Sequence, residues 1–102
     1  MWILKTAATP ETAALTFRLT PGLIRTVGRS PVADFVVDGP MMSRLHCRVM
    51  VSPSGLLEVE DLDSTNGTYV NDRRVSRSVL VSGDLLRLGR VEINVSESRP
   101  AG

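Results

Sequence analysis

An all-β domain built as a sandwich of short strands is what this sequence predicts, on three observations. Apolar and polar residues alternate with period two over several short runs, the pattern of a half-buried strand. Turn-forming residues fall between those runs. No window sustains the period of an amphipathic helix. The 102 residues suffice for one hydrophobic core and not for two.

The elements can be read in order. Trp2 and Leu4 open the first strand. Segment 6–13 is Ala-rich and could form a helical turn, although it is short and contains Pro10. Leu15, Phe17 and Leu19 alternate with Thr16, Arg18 and Thr20 as a half-buried strand. Pro21-Gly22, Asp38-Gly39-Pro40, Pro53-Ser54-Gly55, Asn71-Asp72 and Ser82-Gly83-Asp84 read as turns, with Asn71-Asp72 a hairpin turn. Cys47, Val49 and Val51 alternate with Arg48, Met50 and Ser52, which places Cys47 on an apolar face as a core thiol. The apolar phase shifts from Leu86 and Leu88 to Val91, Ile93 and Val95, so Gly89 marks a turn or bulge. The domain is expected over 1–95, with 96–102 a flexible tail or the start of a linker.

Composition excludes several function classes. A net charge of +1 argues against a nucleic-acid binder that relies on a broad basic surface, and one Trp, one Tyr and two Phe leave little for base stacking. Cys47 is the only cysteine and His46 the only histidine, so neither an internal disulfide nor a structural zinc site is expected. No apolar run approaches the length of a membrane span. The opening Met-Trp-Ile-Leu-Lys-Thr does not read as a signal peptide, so the expected compartment is the cytoplasm.

Three loop clusters carry chemistry: Val27-Gly28-Arg29-Ser30, Ser43-Arg44-Leu45-His46, and the run from Asp61 through Ser64-Thr65-Asn66-Gly67 to Asn71. Arg29 and Arg44 supply guanidinium forks suited to phosphate. Ser43 and Thr65 supply hydroxyls. Asn66 supplies an amide that both donates and accepts, which is what a peptide backbone requires of a partner. Gly67 permits a positive φ beside it. The set suits an anion attached to a neutral backbone.

Gly-Arg, then Ser-x-x-His, then Ser-Thr-Asn-Gly-Thr-Tyr-Val-Asn, then Gly-Asp-x-Leu-x-Leu-Gly resembles the pattern of the forkhead-associated (FHA) domain family over about residues 23–95. The resemblance implies a sandwich of two antiparallel sheets, about eleven strands in all, with the ligand loops at one end. It implies recognition of a phosphothreonine-containing protein or peptide made by a Ser/Thr kinase, without a cofactor, by a monomeric domain. Arg29 would grip the phosphate, Ser43 would donate its hydroxyl to it, and Arg44 would add a contact. Thr65 would line the phosphothreonine site and Asn66 would bond the ligand backbone. Gly28, His46, Gly67 and Asn71 would shape the loops. Met41 and Met42, expected exposed, would form a specificity loop favouring an apolar residue third after the phosphothreonine, with Arg73 or Arg74 as rival basic contacts.

Three other readings compete. Eleven arginines and one lysine leave nucleic-acid binding through an arginine patch open, against the few aromatic residues. The domain could be a phosphate-independent scaffold that uses a sheet face. Ser43, His46 and Asp61 or Asp63 could belong to a hydrolase, but the chain has no Gly-x-Ser-x-Gly elbow, and a buried loop-tying role for His46 is expected instead.

Overall fold

Eleven strands form: β1 (Trp2–Thr6), β2 (Thr16–Leu19), β3 (Ile24–Gly28), β4 (Phe35–Val36), β5 (Cys47–Val51), β6 (Leu57–Asp61), β7 (Thr68–Val70), β8 (Arg73–Val75), β9 (Arg77–Leu80), β10 (Leu85–Leu88) and β11 (Val91–Glu97). The computed structural model describes residues 1–10 and 13–98. One sheet has the order β2-β1-β11-β10-β7-β8 and the other β4-β3-β5-β6-β9. Every pairing is antiparallel except the two-residue contact of β4 with β3, which is parallel.

Period-two alternation builds the core. Leu4, Leu86, Ile93, Val95 and Val70 face inward from the first sheet, and Val27, Cys47, Val49, Val51, Leu57, Val59 and Leu80 from the second. Leu86 stands opposite both Ile93 and Val70. Burying one such side chain contributes about 1.5–3 kcal/mol. Phe17 of β2 stacks on Phe35 of β4, centroids 4.4 Å apart, joining one edge of each sheet. The Trp2 indole donates to the Gly55 carbonyl at 2.9 Å. Asn71 and Asp72, both with positive φ, make the tight turn between β7 and β8.

Two expectations change. The helical turn over 6–13 does not form among the described residues, since Thr6 ends β1 and 7–10 and 13 are irregular, while residues 11 and 12 lie outside the described chain. β11 runs through Glu97, with Ser96 opposite Ile3 and Glu97 opposite Trp2, so the first two residues expected as tail are sheet. Met1, which opens the chain, holds this end further by accepting from the Ser98 amide. The rest of the expected tail, 99–102, lies outside the described residues.

The registers place the connections after β3, β4, β6 and β10 at one end of the sandwich. The β7–β8 turn and the β9–β10 turn lie at the other. Leu86→Ala is expected to lower unfolding free energy by about 2–5 kcal/mol, because a fully buried side chain with neighbours on two strands leaves a cavity. Urea denaturation checks this: the midpoint falls and the slope holds.

Candidate functional site

The loops after β3 and β4 meet as backbone on backbone. The Arg29 amide donates to the Ser43 carbonyl and the Ser30 amide to the Arg44 carbonyl, each at 3.1 Å. Such contact requires Gly28, where a Cβ would stand 1.9 Å from the Arg44 oxygen. The Arg29 Nε then donates to the Met42 carbonyl at 3.0 Å. That bond fixes the guanidinium and leaves its terminal N–H groups exposed and unpaired among the described residues.

His46 sits at the centre and is fully buried. Its Nδ1 accepts from the Ser43 amide at 3.1 Å, so the ring proton lies on Nε2, which donates to the Gly67 carbonyl at 2.8 Å. Its own amide donates to Val27 and its carbonyl accepts from Leu62. One residue therefore ties together β3 and the loops after β4 and β6. Burial holds the imidazole below its usual pKa, against smaller upward pulls from the Gly67 carbonyl and the Asp61 carboxylate.

A second hub, Asp61, shapes the β6–β7 loop. It accepts from the Ser64 hydroxyl (2.6 Å) and amide (3.1 Å) and from the Thr68 hydroxyl (2.7 Å), while Ser64 Oγ accepts from the Gly67 amide. Burial alone would raise this carboxyl, but the bonds from Ser64 and Thr68 hold it below the usual carboxylate range. Sequence reasoning missed this role. The signal available was an Asp three residues before a Ser, the spacing of a side-chain-bonded turn.

On this frame the predicted donors gather. The Thr65 amide donates to Ser43 Oγ at 3.2 Å, so the serine's oxygen is used as acceptor and its proton stays free to donate. Asn66 donates one amide proton to the Met41 carbonyl at 3.1 Å and keeps its oxygen and second proton. The Arg44 side chain is exposed and has no ion pair among the described residues.

Two assignments change. Met42 is 3% exposed and belongs to the core, contrary to the expectation of an exposed loop residue. Its alternating neighbour Met41 takes the outer position, 46% exposed with φ of 64°. Asn71 lies at the opposite end, where it accepts from the Leu85 amide and donates to Asp84; it shapes the β7–β8 turn rather than a ligand loop.

The hydrolase geometry is absent. Ser43 meets His46 through its amide, and both ring nitrogens are committed to backbone groups, so no base faces the hydroxyl. Burial, then the Asp61 charge, pushes the Cys47 thiol upward, away from the thiolate.

The model of the FHA domain family matches residues 25–89. Among curated proteins, the chain is 37% identical over 79 residues to an ABC transporter ATP-binding/permease protein of Mycobacterium tuberculosis, covering 78% of this chain and 9% of that protein. It is 37% identical over 68 residues to an oxoglutarate dehydrogenase inhibitor of Corynebacterium efficiens, covering 67% and 47%. The chain thus spans less than half the length of these relatives. Among solved structures, a chain from a study of phosphothreonine-dependent FHA domain interactions matches with a TM-score of 0.83 and 30% identity, covering 97% of this chain and 98% of that one. The FHA domain of a Chlamydia trachomatis protein matches with a TM-score of 0.87 and 28% identity, covering 96% and 98%.

The His46 geometry sets an acid limit on stability. In the unfolded chain the imidazole titrates near 6.5, and in the folded chain it titrates lower. Protons therefore favour unfolding: the contribution is complete above the unfolded value and is lost as pH falls through 6.5 toward the folded one. Asp61 acts in a lower window, below its ordinary 3.8. The melting temperature should fall between about pH 7 and about pH 5. His46→Ala should destabilise by about 1–3 kcal/mol at neutral pH and flatten that slope. Thermal melts across pH on both proteins check it; an equal slope in the variant refutes the assignment.

Proposed function

The chain belongs to the FHA domain family, and from that premise we propose that it is a phosphothreonine-peptide recognition module, joining its parent protein to a partner only when a Ser/Thr kinase has phosphorylated that partner. The observation that carries this reading is the state of Arg29: its Nε is anchored on the Met42 carbonyl and its remaining N–H groups are open. A guanidinium fixed by one bond and free at its fork is preorganised for a phosphate. The Ser43 hydroxyl proton adds a donor, and Asn66 keeps an acceptor and a donor for the ligand main chain. The threonine methyl group would fill a small pocket lined by Thr65, as the family resemblance implies. Arg44 adds positive charge at the rim, which speeds and strengthens association with a phosphate. The domain acts in this reading as a cytoplasmic binding module, monomeric and without catalysis.

The scaffold reading draws less support. The outer face of the second sheet has Ile24, Met50 and Val79 in one register row, but Glu58 interrupts that row and pairs with Arg77, while Arg48 pairs with Glu60 beside it. Such a charged face is poorly suited to a dry protein contact.

Arg29→Ala should weaken binding of a phosphothreonine peptide by about 10- to 100-fold, the loss of a charge-assisted contact of about 1.5–3 kcal/mol. The fold should stay intact, since the Arg29 side chain is exposed. Calorimetry with matched circular dichroism measures both, and unchanged affinity in a folded variant removes Arg29 from the phosphate site.

Met41 gives a second expectation. It is exposed, polarizable and bonded through its carbonyl to Asn66, so it offers an apolar surface beside the ligand backbone. A peptide array should show modest preference for aliphatic or aromatic residues third after the phosphothreonine. Strong selection of Asp or Glu at that position would overturn the role of Met41.

A further inference from the structure

Arg74 lies on the outer face of β8, an edge strand, directly opposite Tyr69 of β7. The residue is exposed, yet its guanidinium passes close to the β6–β7 loop: a Cβ on Gly67 would meet Arg74 Nε at 3.0 Å and Cζ at 3.2 Å. The residue before Gly67 is Asn66. Glycine leaves room for this approach, and its φ of +90° is one that other residues rarely adopt. Arg73, the neighbouring candidate, stands opposite buried Val70 instead, nearer the β7–β8 turn.

Among the described residues no carboxylate pairs with the Arg74 charge. The ion pairs among the described residues are Arg48–Glu60, Arg77–Glu58 and a loose Arg87–Asp72 at 3.9 Å. Arg87 is the other cation here, 4.1 Å from the centre of the Tyr69 ring and bonded to the Gly89 carbonyl. Arg87 thus lies over the Tyr69 ring and Arg74 stands in register with Tyr69 on the next strand, while the one carboxylate paired here among the described residues, Asp72, is 86% exposed and meets Arg87. Asp61 in the adjoining loop network is occupied by Ser64 and Thr68, and exposed Asp63 forms no ion pair with Arg74. An uncompensated cation packed beside a backbone-binding asparagine attracts a carboxylate carried by the same ligand.

We propose that Arg74 is a specificity-determining residue that reads an Asp or Glu side chain of the ligand, close to the phosphothreonine and at a position other than the one over Met41. This rests on the phosphopeptide reading above. The ligand class is then an acidic phosphothreonine segment with one apolar flanking residue.

The test uses phosphothreonine peptides on a neutral Ala background, with Asp or Asn placed in turn at each flanking position, titrated into the wild type, Arg74→Gln and Arg74→Glu by calorimetry at low salt. At one position Asp should bind the wild type about fivefold more tightly than Asn, as expected of a partly exposed charge pair. Arg74→Gln should erase that difference and still bind the all-Ala phosphopeptide as the wild type does. Arg74→Glu should favour Lys over Asp there. If the all-Ala phosphopeptide binds but Asp and Asn are equivalent everywhere, or their ratio is unchanged in Arg74→Gln, this proposal falls alone. If no phosphothreonine peptide binds the wild type, the recognition reading falls and takes it along.

Discussion

A neutral imidazole holds the ligand end of this domain together. His46 accepts from Ser43 and donates to Gly67, and its own amide and carbonyl join Val27 and Leu62. Each bond crosses between segments that the sheets alone would leave apart. A charged imidazole could not replace it, because Nδ1 would then face the Ser43 amide as donor against donor. An aliphatic residue would leave a buried N–H and a buried carbonyl without partners. The loops can therefore be irregular in shape and still be fixed in position. Fixed donors bind an anion without the loss of freedom that mobile ones would suffer.

The same economy separates backbone from side-chain tips. Carbonyls of Met41, Met42, Ser43 and Arg44 are spent on internal bonds to Asn66, Arg29 and Ser30. The donors left facing outward are the Arg29 fork, the Ser43 proton, one proton of the Asn66 amide, and the side chains of Arg44 and Arg74. Elsewhere the charges are matched, as on the second sheet, where Arg48 and Arg77 face Glu60 and Glu58. A chain with a net charge of +1 can thus gather several unpaired guanidiniums in its loops, beside the exposed carboxylates of Asp38 and Asp63.

How much of this was legible in the sequence depends on the range of the interaction. The strands around Phe17, Val49 and Ile93 follow from local alternation, since each buries one face. The loop clusters followed from a motif whose residues are far apart in sequence and adjacent in the fold. Two-residue β4 carries no period to read, and its parallel pairing depends on the long loop that precedes it. Met41 and Met42 are chemically alike, and only the left-handed backbone at Met41 decides which of them points inward. The Asp61 network and the path of Arg74 over Gly67 are tertiary facts. Arginine is flexible enough that its strand position alone does not say where its charge lies.

The serine and histidine three residues apart illustrate why composition of a site does not give its chemistry. A nucleophile needs a base with a free nitrogen aimed at the hydroxyl. Here the histidine's two nitrogens are what keep the loops in register, and freeing either one would break the tie to Ser43 or to Gly67. Burial also lowers the proton affinity of the imidazole, since the imidazolium is disfavoured where it would have to form. The serine, for its part, has its oxygen accepting from the Thr65 amide and makes no hydroxyl bond to the imidazole. The bonds that fix the loops are therefore the same ones that occupy both nitrogens of the histidine.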